Sequence, residues 1–230
     1  AENLREEKSH SVSLSADMYR RFGAFQCNLL LEGFYTRLNH VFVLEEIGKD
    51  EEHNAVIKER RNGQGAEVAG VTVEGKVAYL SLVQLQAGVT WQKSHYTRPE
   101  KWSKDSSVPA EKRIFRTPDW YGYFTATYSP VKPLNIALSG TYTGSMIVQH
   151  MKGYIPKDMA VTTPDFFDMN LKISYDFSLY KFITLQLNAG VQNIFNAYQR
   201  DFDQGKERDS GYIYGPSMPR SYFAGAKLMF

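Results

Sequence analysis

The last ten residues of the chain, 221–230, place an apolar side chain at every second position and end on an aromatic residue. These side chains are Tyr222, Ala224, Ala226, Leu228 and Phe230. Because successive side chains of a β-strand point to opposite faces, this spacing predicts a strand with one apolar face. A final strand of this kind is typical of an outer-membrane β-barrel, in which it pairs with a neighbour and its outer face meets lipid.

The same two-residue period recurs along the chain. In residues 168–177, every odd-numbered position is apolar and every even-numbered position is polar. Residues 83–91, 134–142 and 184–192 alternate in the same way. The sequence therefore predicts an all-β protein, a segment of an antiparallel transmembrane β-barrel with about 9–10 strands.

Composition agrees with this fold and narrows the function. The chain has 230 residues, a formal net charge of +2 and a mean hydropathy of −0.41. That charge is too small to favour a nucleic-acid partner, and no apolar run approaches the ~20 residues that a membrane helix needs. The side chains of a soluble antiparallel barrel or sandwich would also alternate between apolar and polar. Such a protein, however, rarely keeps a long apolar face on nearly every one of its strands.

Short and long connections alternate between nine predicted strands. In outer-membrane barrels the short turns face the periplasm and the long loops face the outside. The strands are 9–21, 24–44, 55–79, 83–97, 113–129, 133–149, 164–178, 182–197 and 219–230. The short connections are 22–24, 80–82, 129–133 and 178–181, and the long ones are 45–54, 98–112, 150–163 and 198–218. Residues 60–65 could form a hairpin turn that splits the third strand and gives ten.

Several segments carry a family resemblance. Residues 188–198 read Asn-Ala-Gly-Val-Gln-Asn-Ile-Phe-Asn-Ala-Tyr and resemble the penultimate strand of TonB-dependent outer-membrane receptors. Residues 201–223, with Gly-Pro and Pro-Arg pairs, resemble the last extracellular loop and final strand of that family. Residues 4–9 and 68–74 are similar to mid-barrel strands there, so the resemblance covers the whole chain.

The resemblance implies that residues 1–230 are the C-terminal part of a barrel of about 22 strands, without its plug domain and first half. The whole protein is then expected in the bacterial outer membrane, surrounded by lipid, where it imports a large scarce nutrient such as a ferric siderophore or cobalamin. TonB would supply energy through the plug, and a surface lipoprotein is a further conceivable partner. The isolated chain is expected to close on itself or to pair edge to edge with a second copy, because unpaired strand edges template pairing.

Two sets of residues are predicted to form contacts in such a receptor. Polar side chains on the inward strand faces would contact the plug or line the lumen, and aromatic and charged side chains on the long loops would bind the ligand. The inward set is Gln84, Gln86, Asn135, Asp168, Asn170, Lys172, Gln186, Asn188 and Gln192. The loop set is Tyr96, Trp102, Tyr154, Arg200, Asp201, Asp203, Asp209, Tyr212 and Tyr214.

The carboxylates of residues 201–209 raise the question of a metal. Their Asp-x-Asp-x-Gly order is part of a calcium-loop pattern, but the EF-hand spacing fails because the fifth position is Gly and no Glu occupies the twelfth. The other interpretation is a solvated loop in which Arg200, Lys206 and Arg208 pair with these acids. Similarly, His95 and His150, with methionines near His150, either bind a soft metal or are isolated residues of the rim.

Two other functions fit parts of the sequence. A small self-contained outer-membrane pore or adhesin would need an even number of strands. An outer-membrane hydrolase would need a nucleophile beside an oriented base, and no motif in the sequence brings such residues together. The sequence therefore predicts no enzymatic activity.

Overall fold

The computed structural model describes residues 4–50, 52–53 and 55–230. Within those ranges no helix is long and apolar enough to cross a membrane. The strands are β1 (Lys8–Phe22), β2 (Phe25–Asn39), β3 (Phe42–Asp50), β4 (Ala55–Asn62), β5 (Ala66–Tyr79), β6 (Val83–Glu100), β7 (Glu111–Arg113), β8 (Trp120–Val131), β9 (Leu134–Thr143), β10 (Ile147–His150), β11 (Met159–Thr162), β12 (Phe166–Tyr180), β13 (Ile183–Gln192) and β14 (Ser221–Met229).

Nine of these strands form one antiparallel sheet in the order β1-β2-β5-β6-β8-β9-β12-β13-β14, and the short strand β7 pairs with β6. The predicted nine-stranded barrel segment with alternating short turns and long loops is therefore confirmed. Within the described residues, β1 and β14 are the two edges of this sheet, so the barrel is not closed. The small-barrel alternative would require a closed ring, which this sheet does not form.

The long predicted strands are interrupted on the loop side of the sheet. The predicted strand 24–44 breaks at His40, which has a φ of 55°, and the predicted loop 45–54 lies largely within a hairpin of β3 and β4. The predicted strand 55–79 does split, but a hairpin turn at 60–65 is wrong. There β4 pairs with β3, whereas β5 pairs with β2 and β6.

A second break separates β9 from β10. The amide of Gly144 donates to the carbonyl of Trp120 at 2.8 Å, and a Cβ at Gly144 would lie 2.7 Å from that oxygen. The close approach ends the sheet ladder, so the predicted strand 133–149 becomes two strands. The second of them, β10, forms a hairpin with β11 in the predicted loop 150–163.

The strand register assembles the alternating residues into two continuous faces. Ile173 on β12 pairs with Ile136 on β9 and with Ala189 on β13, so their side chains share one face. The same parity holds across the sheet, and the apolar face remains exposed on the chain itself, as for Leu14 at 81%. Lipid is the environment that would cover this face.

Aromatic pairs mark both borders of the apolar face. Trp91 and Trp120 lie 6.3 Å apart near the loop side, and Phe25 and Tyr79 lie 4.6 Å apart near the short turns. Along β6, Trp91 is eight residues beyond Val83, which at ~3.3 Å per residue and a tilt of ~40° spans about 20 Å. Strand β6 continues to Glu100, so it extends beyond the membrane.

Candidate ligand-binding surface on the extracellular loops

The most buried side chains of the chain lie outside the membrane band, where three long loops pack together. The side chains of Val148 and Gln199 are 0% and 1% exposed, and Tyr212 is 4% exposed. In a barrel the strands place their apolar residues towards lipid, so the largest cluster of buried side chains in the described part of the chain lies where the loops meet. These loops are residues 101–119, 144–165 and 193–220, and we call their contact region the loop core.

Gln199 organises the last loop. Its Nε2 donates to the carbonyl of Tyr212 at 3.0 Å, and its Oε1 accepts the amide of Tyr214 at 2.9 Å. The side-chain amide of Gln199 therefore pairs with one backbone carbonyl and one backbone amide, as the backbone of a neighbouring strand would. It thereby fixes the backbone that carries both tyrosines.

Both tyrosines point at one carboxylate. The hydroxyls of Tyr212 and Tyr214 donate to opposite oxygens of Asp201, at 2.9 and 2.6 Å, and their rings lie 5.3 Å apart in an edge-on arrangement. Burial, followed by the Asp201 carboxylate, raises the pKa of Tyr212 to about 12 and that of Tyr214 as well. Burial alone would raise the pKa of Asp201, but the two hydroxyl donors outweigh it and lower that pKa.

A second carboxylate holds a histidine from a different loop. Nε2 of His150 donates to both oxygens of Asp203, at 3.0 and 2.9 Å, and the Asp203 side chain is only 2% exposed. The His150 ring stacks on the ring of Tyr212. Asp203 also accepts the amide of Asp209 at 2.9 Å, which links residues 150, 203, 209 and 212 into one cluster.

Asp209, a third carboxylate of this loop, binds backbone amides. Asp209 accepts the amides of Met151 and Gly211, each at 2.8 Å. Among the described residues, no group of three or more His, Cys, Asp or Glu side chains is placed to hold a metal ion. Asp201, Asp203 and Asp209 accept hydrogen bonds from hydroxyl, imidazole and amide groups. Calcium at residues 201–209 stays a prediction.

Two further residues tie the loops together. Arg116 donates to the carbonyls of Ile213, at 2.6 Å, and Gly211. The buried carboxylate of Asp158 accepts the hydroxyl of Ser103 at 2.5 Å and the amide of Lys152 at 2.7 Å. The three loops therefore form one hydrogen-bonded unit.

Of the predicted ligand-binding residues, the structure brings together Asp201, Asp203, Asp209, Tyr212 and Tyr214. The other four have separate surroundings. Tyr96 pairs with Ala66 on the sheet, Trp102 packs edge-on against Phe115 at 5.2 Å, Tyr154 is 56% exposed, and Arg200 lies over the ring of Tyr198 at 5.1 Å.

The predicted inward residues all lie on the polar face of the sheet, as the register shows. Gln84 and Gln86 line a cavity of about 370 Å³ with residues of β1, β2, β5 and β8. Asn135 donates to Ser129, Asn170 accepts the amide of Asn193, and Gln186 donates to Asp176. Gln192 accepts a hydrogen bond from Ser221, and one buried oxygen of Asp168 has no partner among the described residues. Asn188 and Lys172 stand at register positions beside them. Contact with a plug remains a prediction.

Three contributors to the loop core were not predicted from the sequence. Gln199 and Arg116 act through backbone groups that carry no sequence signal, and His150 was interpreted as a possible soft-metal ligand or an isolated rim residue. One signal was present: Asp201 and Asp203 share the two-residue spacing of Tyr212 and Tyr214. Equal spacing on the two arms of a loop would let the two pairs face each other.

Solved structures similar to this chain share its fold at low identity. The ferric-catecholate import receptor Fiu from E. coli is 18% identical, with a TM-score of 0.61 over 98% of this chain and 28% of that one. The FrpB iron transporter from Neisseria meningitidis is 13% identical, with a TM-score of 0.60 over 100% and 32%. The pyoverdine receptor FpvA from Pseudomonas aeruginosa is 12% identical, with a TM-score of 0.65 over 97% and 30%.

The chain thus spans 28–32% of the length of these structures. A comparison with curated proteins found no match. The profile of the family described as TonB dependent receptor-like, beta-barrel matches residues 1–194. Together with the nine-stranded sheet, this match shows that the chain belongs to the TonB-dependent receptor β-barrel family, whose members are transport receptors of the bacterial outer membrane.

Proposed function

We propose that this chain is the C-terminal part of the barrel of an outer-membrane receptor that imports a ferric siderophore with energy from TonB. Family membership supports transport, and the three similar structures are named for ferric catecholate, iron and pyoverdine. Cobalamin is the other large nutrient that the sequence left open, and no similar structure named here is a cobalamin receptor.

The observation that carries the proposal is the pair of tyrosines held against Asp201. Tyr212 is buried beneath the His150 ring, whereas Tyr214 is half-buried, so the Tyr214 ring can contact planar ligand groups. Its hydroxyl proton is donated to Asp201, which leaves its phenol oxygen to accept a hydrogen bond from a ligand. Because the loop core holds this pair on the extracellular side, it is placed where a ligand arrives from outside.

The polar face of the sheet is the second part of the proposal. The cavity beside Gln84 and Gln86 is lined by amides, a lysine and hydroxyls together with residues 27, 77, 78 and 85. Polar groups that become buried are normally hydrogen-bonded, so we propose that a plug domain of the whole receptor supplies partners for the polar side chains of this face. TonB would act through that plug. A lipoprotein partner is an open prediction.

The test uses the whole receptor, expressed in a strain without other iron receptors. Growth on a panel of ferric siderophores, with and without TonB, should identify at least one siderophore whose uptake needs both proteins. Cobalamin uptake is measured in parallel. Uptake of cobalamin but of no siderophore would show that cobalamin is the nutrient. Solute entry that does not need TonB would favour the pore alternative.

Variants then connect uptake to the loops. Asp201→Asn and Tyr214→Phe should each weaken siderophore binding about tenfold. The first removes the carboxylate that orients the tyrosine pair, and the second removes the hydroxyl of Tyr214. Tyr180→Phe, at a short periplasmic turn where the side chain is 72% exposed, is the matched control. Equal affinity of all three variants would show that this pair does not bind the ligand.

A further inference from the structure

A row of charged side chains crosses the lipid-facing side of the sheet near its extracellular border. His10 pairs with Arg37, Arg37 with Glu67, Glu67 with His95, and His95 with Arg113. These five residues therefore stand at one level on β1, β2, β5, β6 and β7, and we call them the charged row. The row is separate from the polar face of the sheet. Of its members, Arg113 lies in the 101–119 loop, where its side chain contacts Glu111 of that same loop.

Parity along the strands shows which way the row faces. His95 is four residues beyond Trp91, and Arg37 is two residues beyond Tyr35. Even spacing in a strand means the same face, so the row continues the lipid-facing surface just outside its aromatic border. This is the height at which lipid headgroups lie in a bilayer.

The two arginines of the charged row form long ion pairs with carboxylates. The two carboxylate oxygens of Glu67 contact Arg37 and His95, both at 3.6 Å, and Arg113 contacts Glu111 at 3.4 Å. The side chains of Arg37 and Arg113 are 51% and 59% exposed. Exposed ion pairs of this length contribute little, so a phosphate can share or replace the carboxylate partner.

The neighbouring Lys93 extends the patch. It stands between Trp91 and His95 on the same face, is 60% exposed, and contacts Asp119. Arg37 on β2, Lys93 on β6 and Arg113 on β7 are therefore three solvent-accessible cations of one sector of the sheet, each beside a carboxylate. Guanidinium groups match phosphate oxygens in a bidentate geometry, and lysine adds a point charge.

The patch differs from the sector formed by β9, β12 and β13. On β9 and β12, the outward residues near the extracellular border are Tyr142 and Phe167, and Phe195 follows β13. Strand length does not explain the difference, since β12 has 15 residues like β1 and β2. The difference lies in the sequence, which places charged side chains at this level on β2, β5 and β6 and aromatic side chains on β9 and β12.

We propose that Arg37, Lys93 and Arg113 bind the phosphate groups of lipid in the outer leaflet, which fixes the height and rotation of this sector in the membrane. The occupant is a phosphorylated lipid because the patch is continuous with the lipid-facing apolar surface. A lipid bound there has its acyl chains beside Trp91 and its phosphate beside the arginines. This site is independent of the transported nutrient.

The test embeds the whole receptor in nanodiscs of phosphatidylcholine that contain lipid A with both phosphates, or lipid A from which the phosphates have been removed. Native mass spectrometry then counts the lipid A molecules retained by the protein. The unchanged protein should retain the phosphorylated form about fivefold over the dephosphorylated form, since each basic residue near an anionic headgroup adds to binding. Raised ionic strength should reduce that preference.

The variant Arg37→Gln/Lys93→Gln/Arg113→Gln should lose the preference. The matched control, Lys76→Gln/Lys172→Gln/Lys227→Gln, removes the same charge from the opposite face of the same sheet and should keep it. The proposal is overturned if the unchanged protein retains both lipids equally, or if the control loses the preference as fully. Should the triple variant fail to fold, Arg37→Gln alone should lower the ratio, and an unchanged ratio would equally overturn the proposal.

Discussion

The imidazole of His150 stacks on the phenol ring of Tyr212, with ring centroids 3.7 Å apart and an interplanar angle of 8°. The same imidazole donates to Asp203, whose side chain is 2% exposed. One residue of the 144–165 loop therefore supports both an aromatic ring and a buried carboxylate of the 193–220 loop. We expect the stability of the loop core to depend on it.

His150→Ala should destabilise the loop core by about 3 kcal/mol, because it leaves the buried Asp203 carboxylate without the imidazole hydrogen bond. Hydrogen exchange of the amides of residues 199–214 measures this change locally. His53→Ala is the matched control, since His53 is 71% exposed in the β3–β4 hairpin and should change stability by less than ~0.5 kcal/mol. Equal exchange in both variants would contradict a structural role for His150.

Alkaline pH should unfold the loop core through its tyrosines. Their pKa values are raised in the folded chain, to about 12 for Tyr212, so the folded state holds these protons more tightly than the unfolded one, where tyrosine titrates near ~10. The stabilisation is complete below pH ~10 and is lost as the pH rises towards about 12. Tyrosinate absorbance at alkaline pH reports the transition.

Asp201→Asn should move that titration to lower pH, since it removes the negative charge that contributes to both shifts. Burial still acts on Tyr212, so its pKa should stay above the ordinary value. Asp105→Asn, in another loop where Asp105 bonds Ser107, is the control and should leave the tyrosine titration unchanged. If Tyr212 in the unchanged protein titrates at the ordinary pKa of tyrosine, the claimed effect of burial and Asp201 on this residue is wrong.

Gly140→Val should destabilise the sheet by about 1–3 kcal/mol through overpacking. The ring of Phe124 on β8 covers Gly140 on β9, and a Cβ there would lie 2.3 Å from Cε1 of that ring. Gly75→Val on β5 is the matched control, because no heavy atom lies within 4 Å of its Cβ position. Urea unfolding in lipid vesicles compares the two, and equal midpoints would show that the Phe124 ring moves aside freely.

The β3–β4 hairpin should detach when its anchor is removed. Glu100, which is 7% exposed, accepts Arg61 at 2.9 Å and the amide of Gln64 at 2.8 Å. Arg61→Met should therefore speed protease cleavage within the hairpin about tenfold, while the sheet remains intact. Lys58→Met, on the same strand, should not change the cleavage rate, and equal rates would show that the pair is dispensable.

The isolated chain should self-associate in detergent, because β1 and β14 are unpaired edges of the sheet in the part of the chain that the structure describes. Light scattering after size-exclusion chromatography should show a dimer fraction that grows with concentration. A monomer at every concentration would exclude edge pairing. In a closed barrel the same edges would pair with other strands, so this prediction concerns the isolated chain.

Periodicity predicted most of the sheet, and it did so for a physical reason. A strand with one face on lipid and one on a polar interior must alternate, so residues 168–177 and 184–192 identify both their structure and their orientation. The breaks at His40 and Gly144 were not predicted, because they depend on local backbone contacts that leave the alternation of the neighbouring residues unchanged.

The loop core was less accessible to sequence reasoning. Its bonds join residues far apart in the chain, such as His150 to Asp203, 53 residues apart, and Ser103 to Asp158, 55 residues apart. Side-chain hydrogen bonds at such separations have no period, so the sequence identified Asp201, Asp203, Tyr212 and Tyr214 as a group without showing their partners. It also suggested calcium for carboxylates that the loops use as acceptors.

The position of the loop core determines where this protein can change. Loop tips of surface proteins usually accept insertions, and the exposed segment around Tyr154 fits that rule. The 193–220 loop does not, because Gln199, Asp203 and Asp209 bind backbone groups on both of its arms. Epitope tags or cargo-binding peptides should therefore be inserted near Tyr154, and a library of variants in residues 199–212 should yield few folded receptors.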